Sequence, residues 1–192
     1  MTESKQLWVL AGGNGAGKST FHRLFLEPRG LAMVNADELA RALRPGAPEE
    51  ASYDAAADAE LLRERLLESG ASFCFETVFS HPSKIDFIAR ARALGYRVII
   101  AFFRLDDASL NLARISQRVA AGGHDVPKEK VRSRLPRAFA NFRDALPLVD
   151  EALVIDNSSA DDPFRVVGRV SGGVVRLDRP RAPAWVLELL DG

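Results

Sequence analysis

Short runs of apolar residues alternate along the chain with longer stretches whose apolar positions recur at helical spacing. The runs Leu7–Ala11, Leu31–Asn35, Ser72–Glu76, Arg97–Arg104 and Glu151–Ile155 are apolar nearly throughout rather than at every second residue. That pattern belongs to strands covered on both faces. Between them, Ala55, Ala59, Leu62 and Leu66 predict one face of a helix ending near Gly70, and Ser83 to Leu94 predicts another stopped by Gly95. After Asp107, the residues Ala108, Leu112, Ile115 and Val119 form a further helical stripe that Gly122-Gly123 terminates. Pro127 suits the first position of the next helix, which Pro136 is expected to kink or end. The alternation predicts an α/β fold around a five-stranded parallel sheet. Toward the C-terminus, Phe164–Val170 and Val174–Asp178 flank Ser171-Gly172-Gly173 and predict a β-hairpin that extends or caps the domain.

A length of 192 residues suits a single domain with a buried core. Lys and Arg together number 26, as do Asp and Glu, so no global basic field recruits nucleic acid or an acidic membrane surface. Any basic site is local. The lone cysteine, Cys74, rules out an internal disulfide and reads as a small buried hydrophobe. His22, His81 and His124 are too scattered for a metal cage. No apolar run approaches the length of a membrane span, and the N-terminal run is too short for a signal peptide, so the expected location is cytoplasmic.

The strongest chemical signal is Gly12-Gly13-Asn14-Gly15-Ala16-Gly17-Lys18-Ser19-Thr20, which fits the Walker A pattern G-x-x-x-x-G-K-[ST]. An apolar strand enters it and helix-compatible Thr20–Glu27 leaves it. Glycines let successive backbone N–H groups converge on phosphate oxygens at a helix N-terminus. Lys18 is expected to reach the β- and γ-phosphates of ATP, and the Ser19 hydroxyl to ligate Mg²⁺.

Three other segments bear carboxylates or arginines where an α/β sheet places its chemistry. Asp37 follows the second strand; it could accept a proton from an attacking hydroxyl, cap the next helix, or do both. Glu76-Thr77 ends the third strand, where Glu76 could bind substrate hydroxyls, hold Mg²⁺ through water, or simply face solvent. Arg118 and Gly122-Gly123 lead through His124 to Arg132, Arg134 and Arg137, which suits a lid over the triphosphate at about residues 118–137.

Together these stretches resemble the zeta-toxin family of P-loop kinases, in particular its short bacterial branch. The matching pieces are the glycine-rich loop, Asn35-Ala36-Asp37, Phe75-Glu76-Thr77, the run from Arg118-Val119 through Gly122-Gly123-His124 to Val126-Pro127, and Asp156-Asn157-Ser158. The resemblance implies a nucleoside-monophosphate-kinase-like three-layer core. It also implies transfer of the ATP γ-phosphate to a small-molecule hydroxyl, which in the best-known members belongs to UDP-N-acetylglucosamine. By the same resemblance Lys18 and Ser19 hold phosphate and metal, Asp37 is the base, and Glu76 and Thr77 contact substrate. Arg118 and Arg134, or Arg132 in its place, serve as lid arginines, and Asn157 lies in a loop beside the adenine. A toxin–antitoxin arrangement would place the inhibitor on a separate protein. Two other readings use the same loop: an ATPase module driving a protein partner, and a nucleotide-dependent switch.

Overall fold

The computed structural model describes residues 4–105, 128–180 and 182–191, without the side chains of 49, 128–132 and 191. Seven strands form one sheet: β1 (Gln6–Gly12), β2 (Ala32–Val34), β3 (Phe73–Thr77), β4 (Arg97–Arg104), β5 (Glu151–Asp156), β6 (Arg165–Ser171) and β7 (Val174–Leu177). Their order across the sheet is β2-β3-β1-β4-β5-β6-β7. The first five run parallel, with Leu10 level with Glu76 on one side and with Ala101 on the other. The C-terminal hairpin extends the sheet, β6 pairing antiparallel to β5 and β7 to β6. Its turn is the two residues Gly172 and Gly173, both with positive φ, as a right-twisted hairpin requires.

The near-continuous apolar runs are explained by cover on both faces. Leu7, Val9, Phe73, Phe75, Ile100, Phe102 and Val154 face a core closed by α3 (Ser52–Ser69), α4 (Ser83–Ala93), α5 (Lys128–Ala145) and α6 (Ala184–Asp191). Leu10, Cys74, Phe103, Leu153 and Ile155 face the other way, toward Ala16, Leu26 and the ring of Phe21. Ala16 comes from the glycine-rich loop, Phe21 from the short helix α1 (Lys18–Phe21), and Leu26 from the π-helical turn His22–Leu26 that continues it. The buried His22 ring donates from Nε2 to the Leu31 carbonyl at 2.8 Å, tying that turn to the approach of β2. Before α3 in sequence, α2 (Ala36–Leu43) packs on it through Ala40 and Ala55, with Ala51 of the turn between the two helices in the same cluster.

Two expectations about helices change. On α3 the buried positions are Ala55, Ala59, Arg63 and Leu67, while Leu62 is 39% exposed and Leu66 only partly buried. Steps of four advance the contact line by about 40° each. The buried face therefore winds around the helix until an arginine, not a leucine, falls on it. Pro136 does not end α5, which runs on to Ala145. Ala138, Phe139, Phe142 and Ala145 downstream are all buried against the sheet, and that burial exceeds the roughly 3 kcal/mol cost of an internal proline. The helix expected after Asp107, and its Gly122-Gly123 stop, lie outside the described residues.

No described helix is long and apolar enough to cross a membrane. Cys74 is fully buried, and burial, followed by the charges of Glu76 and Glu38, pushes its thiol from 9.0 up to about 12. A thiolate-dependent reagent at pH 8 should therefore leave the folded protein unlabelled and modify one thiol per chain in denaturant. Rapid labelling of the native protein would contradict this packing.

Candidate functional site

The glycine-rich loop leaves β1 and ends where Gly17 caps α1 with φ 99°. Two of its glycines are required by their neighbours. A Cβ on Gly12, where φ is 136°, would stand 2.1 Å from the carbonyl oxygen of Phe103 on the adjoining β4. One on Gly17 would stand 2.3 Å from Asn157 Nδ2. The loop is thus wedged between β4 and the segment after β5, and only a bare backbone fits.

Lys18 is buried to 2% exposure at the helix start. Its ammonium donates to the carbonyls of Gly12 at 2.9 Å and Gly13 at 2.8 Å, and lies 3.4 Å from Glu76 Oε1. An ammonium has three donors, and this geometry gives each a partner. The other Glu76 oxygen accepts from the Ser19 hydroxyl at 2.6 Å and from Asn35 Nδ2 at 3.3 Å. One carboxylate at the end of β3 thereby gathers the loop lysine, the loop serine and the end of β2. The fully solvated alternative for Glu76 is excluded, since its side chain is 15% exposed.

Asn35 holds this corner from both ends of its amide. Its Oδ1 accepts from the Asp37 backbone N–H at 2.9 Å, which makes Asn35, not Asp37, the N-cap of α2. Asp37 is therefore in the first turn, exposed, and not the capping side chain. Thr77 Oγ1 accepts from the N–H of Phe79, a buried residue with φ 63°. The Phe79 carbonyl in turn accepts from Asn141 Nδ2 of α5 at 2.9 Å. Thr77 thus shapes the turn after β3, and α5 anchors it.

Asn157, expected beside the base, is buried behind the loop. Its Nδ2 donates to the Ala16 carbonyl at 3.0 Å, and its Oδ1 accepts from the Phe164 N–H at 3.1 Å. Asp156 before it is also engaged, accepting from Arg165 at 2.7 Å and from the Ser158 backbone at 3.0 Å. Asn14, Gly15 and Gly13 are part-buried at the turn of the loop, and Thr20 is exposed on α1. Arg134 is half-buried and Arg137 exposed on α5, while Arg132 contributes only its backbone to the description. Arg118 and His124 lie outside the described residues.

Ser19 and Glu76 offer hard oxygen donors beside the phosphate loop, the chemistry that Mg²⁺ takes. Among the described residues no cluster of three or more His, Cys, Asp or Glu side chains forms a metal cage. Sequence reasoning missed Asn35 as the capping and bridging residue, and Asn141 altogether. The first stood inside a quoted motif; the second has no local signal, because its partner is 62 residues away.

The zeta toxin family model matches residues 1–161. An uncharacterized protein of Haemophilus influenzae is 31% identical over 137 residues, which are 68% of this chain and 97% of that protein. Among solved structures, AvrRxo1-ORF1 in complex with AvrRxo1-ORF2 superposes with a TM-score of 0.74 at 19% identity, over 96% of this chain and 63% of the other. The chain thus spans under two thirds of that relative's length. The PezAT toxin–antitoxin system of Streptococcus pneumoniae gives a TM-score of 0.70 at 16% identity, over all of this chain and 80% of the other. Shikimate kinase from Acinetobacter baumannii gives 0.55 at 17% identity, over 82% of this chain and 87% of that enzyme.

Replacing Asn157 with Ala removes both buried hydrogen bonds and leaves the Ala16 carbonyl unsatisfied. A loss of about 1–3 kcal/mol in chemical denaturation is expected, together with weaker nucleotide binding in calorimetry. Unchanged stability would remove Asn157 from the support of the loop. Fold, phosphate loop and family match agree: the chain belongs to the zeta toxin family and has the P-loop kinase fold.

Proposed function

We propose that this chain is an ATP- and Mg²⁺-dependent kinase that moves the γ-phosphate to a hydroxyl of a small molecule, with a nucleotide sugar such as UDP-N-acetylglucosamine as the acceptor class. The observation that carries the reading is the junction of Lys18, Ser19 and Glu76 at the mouth of the loop. A carboxylate this close to the loop serine and lysine suits a site that handles a polyphosphate and its cation.

In this reading the backbone N–H groups from Gly13 to Thr20 grip the phosphates, and Lys18 turns its ammonium from the loop carbonyls to the β- and γ-phosphate oxygens. Mg²⁺, held by Ser19 Oγ and the Glu76 carboxylate, would neutralise charge on the phosphoryl oxygens. The acceptor oxygen forms its bond to the γ-phosphorus as the bond to the β–γ bridging oxygen breaks, and ADP leaves. Asp37, in the first turn of α2 just past the Asn35 cap, takes the hydroxyl proton. Arg118 and Arg134 exclude water and balance charge from the lid. Asn157 acts by bracing the loop rather than by touching the base.

The likeness to the PezAT system supports a separate antitoxin protein as a partner, and the buried free thiol suits a reducing cytoplasm.

Mass spectrometry of nucleotide sugars incubated with ATP and Mg²⁺ should show one product heavier by a phosphoryl group. Lys18→Ala should lower its rate by about a hundredfold or more. Asp37→Asn should lower transfer by about 10²–10⁴-fold while nucleotide affinity is kept. Loss of nucleotide binding in Asp37→Asn would remove Asp37 as the base. ATP turnover unaffected by any acceptor in a broad metabolite panel would overturn the kinase reading.

A further inference from the structure

A cavity of about 490 Å³ opens beside the phosphate loop, between the first helical turns and the edge strand β2. Its volume falls within the range of sites that enclose small molecules. Ser19 is part of its lining, and the Ser19 hydroxyl lies 2.6 Å from the Glu76 carboxylate. A molecule seated in the cavity therefore reaches the corner where phosphate and cation are handled.

The walls are built from two elements. Arg23 and Glu27 line one side, at successive steps of four residues beyond Ser19. In a regular α-helix each such step turns the line by about 40°. Here His22–Leu26 is π-helical, and its wider i→i+5 turn brings residues four apart back toward one line. Leu31, Met33 of β2 and Glu38 from the first turn of α2 form the facing side. His22 fastens the two sides together, since its buried ring is bonded to the Leu31 carbonyl at 2.8 Å.

The charges on these walls are uncommitted. Arg23, Glu27 and Glu38 are exposed, and none of their side chains makes a hydrogen bond or ion pair among the described residues. Charges elsewhere on the surface do find partners, as Arg44 does with Glu50 and Arg97 with Glu151. Arg23 and the two glutamates share one cavity yet stand farther apart than an ion pair, which leaves room for a ligand between them.

We propose that this cavity is the acceptor site and that it selects a sugar bearing a phosphate. The proposal rests on the kinase reading for the transfer itself. An ionised carboxylate only accepts hydrogen bonds, so Glu38 needs a ligand rich in donors, which the hydroxyls of a sugar supply. Arg23 presents a planar fork that matches phosphoryl oxygens. The apolar side chains of Leu31 and Met33 cover the carbon face of the ring. A ligand made only of anionic groups meets repulsion from Glu27 and Glu38, and a neutral sugar leaves Arg23 unused. A phosphorylated sugar satisfies both signs of charge, with one hydroxyl left to face Ser19 and Glu76.

The test is calorimetric titration of the full chain with N-acetylglucosamine 1-phosphate, UDP-N-acetylglucosamine and N-acetylglucosamine, with Mg²⁺ and a non-hydrolysable ATP analogue already bound. The two phosphorylated ligands should bind, and the neutral sugar should bind about tenfold more weakly or worse. Arg23→Met should bring the phosphorylated ligands down to the level of the neutral sugar. Glu38→Ala should weaken both by about tenfold. Each variant should keep its affinity for the ATP analogue. Arg29→Met, a change of equal charge outside the cavity, should alter nothing. Titrations unmoved by Arg23→Met and Glu38→Ala, an equal loss in Arg29→Met, or no binding of either phosphorylated ligand by the natural chain would overturn the site and leave the kinase reading standing. Failure of the ATP analogue to bind would instead sink the kinase reading, and the same two substitutions, titrated without nucleotide, would still decide the cavity.

Discussion

A lysine ammonium buried at the start of a helix must be neutralised and hydrogen-bonded, and the surroundings of the loop follow from that requirement. Two loop carbonyls and the Glu76 carboxylate supply the partners of Lys18. For those carbonyls to point inward, the loop must turn through conformations open to glycine. For Glu76 to reach the lysine, β3 must lie directly beside β1, which is the observed strand order. Asn35 then brings the end of β2 to the same carboxylate. A strand order that parted β1 from β3 would leave a buried charge without its counterion.

Support for this corner comes from both sides of the sheet. Asn157 and Phe164 press against the loop from the β5–β6 connection, and Asn141 fixes the turn beyond β3 from α5. Neither interaction touches the position of a phosphate. Each removes freedom from a backbone segment whose placement the chemistry depends on, since a displacement of about 1 Å at a reacting centre can cost a hundredfold in rate.

The local features of the sequence translated most directly. The five apolar runs became strands because burial on both faces leaves no polar alternation to misread, and the Gly172-Gly173 turn fixed the hairpin through its positive φ values. The phosphate loop was legible because its glycines, lysine and serine are contiguous. Side-chain roles that depend on distant partners were not. Asn35 displaced Asp37 as the helix cap, Asn157 turned toward the loop backbone, and Thr77 turned to its own following residues. On α3 the buried line drifted from Leu62 to Arg63 because four-residue steps do not match the helix period. Pattern alone cannot show this drift.

Phe164 has a further implication. It stands three residues beyond the end of the family match, yet its ring lies at the Gly17 cap and packs edge-on against Phe21 and Phe25 of the first helical turns. The part of the chain that family comparison treats as peripheral is thus a wall of the nucleotide cradle. Cutting the protein at the boundary of the matched segment would strip that wall away and open the aromatic cluster to water.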